Sequence, residues 1–152
     1  MESIYPILVL IHIISAIVGI GPGFVLTKII KSAKTMDEIR YAFRLKKRIH
    51  VFVMTGGILL LVTGLLMGGF IHPILFKQGW YLTSLTLYFI AIGLGPTLLK
   101  KYAAPINEML KTHKGDDVPE SYADHVQKLL RTEYVENTLL LFIIIMMILK
   151  PF

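Results

Sequence analysis

Five histidines, ten carboxylates and no cysteine set the chemistry open to this 152-residue chain. Without a thiol it has no disulfide, zinc–thiolate or iron–sulfur site, no covalent haem link and no thiol nucleophile. His12 is the most informative of the titratable residues. It stands in a stretch, Ser3 to Thr27, that holds no Asp, Glu, Lys or Arg, about 10 Å along a helix from Tyr5. An imidazole is costly in hydrocarbon, so it should face other helices and find a partner there. Neutral imidazole is a common axial ligand of haem iron in helical bundles. A second ligand at similar depth could come from Met67, or from no protein group at all. The plainer reading of His12 is a satisfied structural histidine, and of Met67 a core or lipid-facing filler.

His50 follows Lys47 and Arg48, and Glu136 precedes the last apolar run. The two have comparable depth, which suggests a hydrogen-bonded pair that could include Glu133 or Asn137. Such a pair either fixes helix register or carries protons or substrate. His72 stands before Pro73 in a loop, and His113 and His125 lie in charged segments; all three read as surface residues. Gly19-Ile20-Gly21-Pro22 and Gly93-Leu94-Gly95-Pro96 form a repeated motif at an offset of 74 residues. Glycines permit close helix approach in lipid, and each proline frees a carbonyl four residues earlier, at Val18 and Ile92. Gly56, Gly57, Gly64, Gly68 and Gly69 offer either close packing or room for a flat ligand. No phosphate-cradling glycine loop, nucleophile elbow or HExxH motif occurs.

The elements that must position these residues follow from composition. Hydrophobic residues make up 55% of the chain and charged residues 17%, against about 25% charged in an ordinary soluble domain. A soluble protein this small has too little interior for so much apolar surface. Charge-free runs cover Ser3 to Thr27, Ile49 to Phe76, Gln78 to Leu99 and Asn137 to Leu149. About 20 apolar residues span the hydrocarbon, so the first three qualify outright. The fourth can cross with Lys150 snorkelling at one end and Glu136 near membrane depth at the other. Of 16 Lys and Arg residues, eight fall between positions 28 and 48 and six between 100 and 131. That bias marks these connections as cytoplasmic and both termini as extracytoplasmic. It excludes the need for a nucleic-acid partner to explain the net charge of +6, and places the chain in a plasma or inner membrane as a multi-pass protein. The acidic start at Glu2 and the long apolar run argue against a cleavable signal peptide. Tyr5, Trp80 and Tyr81 suit an outer aromatic belt.

The spacing predicts helices over roughly 4–30, 36–72, 79–101 and 119–150. Thr35 and Glu38 have capping-box spacing, and Pro119 suits a first turn. Residues 113–117 are expected to be a flexible loop tip, and Val126, Leu129 and Leu130 to continue the core beyond the apolar run. The expected fold is all-α: a single membrane domain, 1–152, forming a four-helix bundle. It comprises two hairpins in a parallel pseudo-twofold repeat, with helices 2 and 4 extended into the cytoplasm. The bilayer is the expected partner, and a homodimer is left open.

Tyr5-Pro6 followed by Leu10-Ile11-His12-Ile13-Ile14 resembles the opening of HemJ-type protoporphyrinogen oxidases, small helical membrane proteins that bind haem b. Gly79-Trp80, Glu136 near Thr138, and the ending Lys150-Pro151-Phe152 are similar to that family as well. CopD-like copper-resistance membrane domains share a related architecture. A family of small integral membrane proteins with an HxxxAxxGxGP-type first helix looks similar too; here the motif is His12, Ala16, Gly19, Gly21 and Pro22. The resemblance implies haem b with His12 as axial ligand and leaves enzymatic activity open. The lysine that HemJ-type proteins carry shortly after the tryptophan has no counterpart in residues 81–85. Small-solute or copper transport, and a partner-binding role for the helix extensions, are the alternative functions.

Overall fold

A computed structural model describes residues 4–151; Glu2 and Phe152 lie outside them. Four helices, α1 (Tyr5–Ser32), α2 (Met36–Ile71), α3 (Gly79–Thr112) and α4 (Ser121–Leu149), are each long and apolar enough to cross a membrane. Pro6 occupies the first turn of α1, where its missing N–H removes no helical bond. The capping box before α2 forms as the spacing predicts. Thr35 accepts from the Glu38 N–H at 3.3 Å, and Glu38 accepts from the Thr35 N–H at 3.1 Å. Tyr122 donates its N–H to the Pro119 carbonyl at 2.9 Å and starts α4. Lys150 ends it in the left-handed region, φ 46°, with its N–H on the Met146 carbonyl.

Side-chain contacts fix the arrangement. Tyr5 meets His72, His12 meets Thr63 and Gly19 meets Gly56, so α1 and α2 run antiparallel. Thr27 meets Glu133 and Gly23 lies against Asn137, so α4 is antiparallel to α1 along its other side. α3 lies beside α4 and reaches α2 through two tyrosines. Only 17–22% of the residues in the most apolar windows of the four helices are buried. The remainder presents Ile, Leu, Val and Phe outward, as a bundle with hydrocarbon for solvent must.

The α1–α2 contact is backbone on backbone. A Cβ placed on Gly56 would come within 2.5 Å of the Gly19 nitrogen, and one on Gly19 within 2.8 Å of the Gly57 nitrogen. The two Gly-x-Gly-Pro motifs are used differently. Gly19 is packed, whereas a Cβ on Gly21, Gly93 or Gly95 would meet nothing within 4 Å. Helix α1 stays α-helical through Pro22, while Pro96 sits in a widened π turn, Gly95–Leu99. Thr97 there donates to the Gly93 carbonyl at 2.6 Å.

Helix α3 passes its expected end near residue 101 and reaches Thr112, despite Pro105. One lost backbone bond is outweighed by burial. Ile106 is fully buried among Ile30, Ile39, Ala42, Phe43, Tyr122 and Leu129. Val126 and Leu130 flank this cluster, which continues the core among the charged segments as expected. Trp80 and Tyr81 are buried against Met146. The Tyr81 hydroxyl donates to the Gly64 carbonyl at 3.0 Å, and Lys150 Nζ lies 5.5 Å over the Trp80 ring.

Candidate functional site

Two polar sites lie along α1. The first is built on His12. Gly19 against Gly56 fixes the register of the hairpin. Seven residues back on α1 and seven forward on α2, two turns in each case, bring His12 opposite Thr63. His12 Nδ1 is 2.8 Å from Thr63 Oγ1. The Thr63 hydroxyl lies 2.6 Å from the Leu59 carbonyl, which only accepts, so its one proton is directed there. With that proton on the carbonyl, Thr63 accepts from Nδ1–H, the tautomer in which a neutral ring keeps an unprotonated Nε2. The ring lies over Gly64, whose Cβ, if it had one, would stand 3.4 Å from Cε1. Nε2 lies across the ring from Nδ1 and points away from Thr63, and the side chain remains partly exposed. Ser15, one turn further along, is buried and donates to the Ile11 carbonyl at 2.6 Å.

The second site joins three helices. Glu133 of α4 is buried and forms an ion pair with Lys46 of α2. Its Oε2 lies 3.0 Å from the hydroxyl of Thr27 on α1, which is also 2.8 Å from the Gly23 carbonyl. One hydroxyl proton serves one of these acceptors at a time. Asn137 donates to Thr27 at 3.3 Å. A Cβ on Gly23 would press to 3.0 Å from the Asn137 oxygen, so glycine makes room for the amide.

A model for the integral membrane protein family DUF2269 matches residues 6–151. The chain belongs to that family. Comparison with curated proteins gives no match, and comparison with solved structures gives none. Membership establishes a multi-pass integral membrane protein and assigns no reaction.

Within this DUF2269 chain the expected His50–Glu136 pair does not form. His50 is exposed at the edge of the inward stripe of α2, and no hydrogen bond joins it to Glu136 among the described residues. The carboxylate that finds a cation is Glu133, and the cation is Lys46, one turn before His50. Met67 lies in a π turn, one turn beyond Thr63. Four of the five α2 glycines leave no slot for a flat ligand, and Gly69 is exposed with nothing within 4 Å of a Cβ placed on it. Gly19 fills the space at Gly56, the Tyr88 hydroxyl that at Gly57, His12 that at Gly64 and Tyr81 that at Gly68. His72 stands edge-on to Tyr5 at 4.7 Å. The loop tip at 113–117 is pinned: Arg40 donates to the carbonyls of His113 and Gly115, at 3.0 and 3.1 Å.

No group of three or more His, Asp or Glu is placed to hold a metal ion among the described residues. At His12 a bare ion would meet one strong donor. Haem iron carries four ligands in its own macrocycle and needs one from the protein. One imidazole is the number of protein donors that such a group requires. Sequence reasoning missed Thr63, Thr27 and Lys46. The signal that finds the first is the small-residue match between Gly19 and Gly56, extended by two turns.

Proposed function

We propose that this family member is a multi-pass membrane protein that holds haem b, or a related porphyrin, through His12, with both termini extracytoplasmic. The observation that supports this is the chain from Nδ1–H through Thr63 to the Leu59 carbonyl. It fixes the ring and its tautomer, as outer partners do at histidine ligands generally. Bound there, haem would supply one-electron chemistry. The protein's part is to hold the proton on Nδ1, aim Nε2 away from Thr63 and keep the ring on Gly64. Met67, one turn beyond Thr63, is the chain's candidate for a second ligand. The HemJ-like opening around His12 supports the same ligand type, and the missing lysine in residues 81–85 argues against carrying over the oxidase reaction. The test is the visible absorption of detergent-purified protein from haem-replete cells. A Soret band that His12→Ala removes is the expected result; a colourless wild-type preparation overturns the proposal.

The Lys46–Glu133–Thr27–Asn137 site favours a second reading, in which the chain passes protons or a small cation. A buried ionisable group at the end of a membrane helix commonly marks such a path. Under this reading Glu133→Gln abolishes a solute or proton flux in reconstituted vesicles while the bundle remains folded. An unchanged flux removes it.

A further inference from the structure

A groove of about 680 Å³ runs along the outer side of α4 beside α1, away from both polar sites. Its apolar walls include Leu130, Tyr134, Val135 and Leu139. Two cations line it, Lys31 of α1 and Arg131 of α4. Lys31 Nζ lies 5.8 Å over the Tyr134 ring, which holds the ammonium at the groove. Neither cation has an ion-pair partner among the described residues, and no carboxylate lines the groove. The groove crosses the point where α4 changes character. Arg131 lies in its charged part, and Leu139, about 12 Å further along the helix, in the charge-free run that begins at Asn137.

We propose that this groove seats an anionic phospholipid. Lys31 and Arg131 hold the headgroup phosphate, and Tyr134, Val135 and Leu139 receive an acyl chain. Charge complementarity selects this occupant. Two unpaired cations at the rim of an apolar channel match a headgroup and chain of that length, and they would disfavour a purely apolar helix face. Paired basic groups at the edge of the hydrocarbon are a recurrent way of holding anionic headgroups.

The experiment is native mass spectrometry of the full chain in detergent, offered equimolar phosphatidylglycerol and phosphatidylcholine. The expected result is preferential retention of one phosphatidylglycerol. Lys31→Gln with Arg131→Gln should weaken retention roughly 25-fold, about fivefold for each basic group at an anionic headgroup. Lys100→Gln with Lys101→Gln, which removes the same charge from α3, should leave it intact. Equal retention of the two lipids by the wild type overturns the proposal, as does equal weakening by both double variants. A dimer that forms in the wild type and is lost in the Lys31/Arg131 variant would assign the groove to a second copy instead. Should the neutral variant fail to fold, the wild-type comparison of the two lipids decides. The charge-keeping Lys31→Arg with Arg131→Lys then serves as the folded reference and retains phosphatidylglycerol.

Discussion

One hydroxyl decides what His12 can do. Thr63 accepts from Nδ1 because its own proton is committed to the Leu59 carbonyl. Thr63→Val keeps the shape and removes the acceptor. Loss of such an outer partner typically lowers affinity at a histidine-ligated centre about 10–100-fold. Haem titration of Thr63→Val should therefore show weakened binding with His12 still present. At the second site the order of removal matters. Lys46→Met leaves the Glu133 carboxylate buried without its cation and should cost about 3 kcal/mol. Lys46→Met with Glu133→Leu replaces the pair by apolar groups and should restore most of that stability. Thermal unfolding of the three proteins in one detergent measures both effects.

Among the elements, the α1–α2 hairpin depends on two glycines and is indifferent to others of the same motif. Gly56→Ala drives a methyl into the Gly19 backbone and should cost about 2 kcal/mol by overpacking. Gly21→Ala meets nothing within 4 Å and should stabilise α1 by up to about 1 kcal/mol through helix propensity. The same unfolding assay separates them. The four helices were legible in the sequence because charge-free runs and a capping box depend on local order alone. The end of α3 was not. Pro105 reads locally as a stop, and only contact of Ile106 with residues from three other helices overrides it. Likewise Glu136 and Glu133 are equivalent by composition. Which one turns inward depends on the rotation of α4 against α1, and Thr27 and Lys46 reveal it only once the helices are side by side.

At the scale of the whole molecule, the charge bias of the connections makes a claim about direction. Because the chain has no cysteine, single introduced thiols report it cleanly. Gln78→Cys should react with a membrane-impermeant maleimide in intact cells, and Lys114→Cys only after the cells are opened. The reverse pattern would invert the bundle. The bundle's outward apolar surface is lipid's to cover, so what it can bind depends on the few polar groups its helices turn toward one another. Of these, the imidazole on α1 carries the functional reading. Nitrogen NMR of histidine-labelled, haem-free protein, with the signal assigned by its absence in His12→Ala, observes the two ring nitrogens separately. Nδ1 protonated with Nε2 bare is the pattern expected at neutral pH; Nε2 protonated with Nδ1 bare would mean that Thr63 donates rather than accepts, and that His12 presents no free ligand.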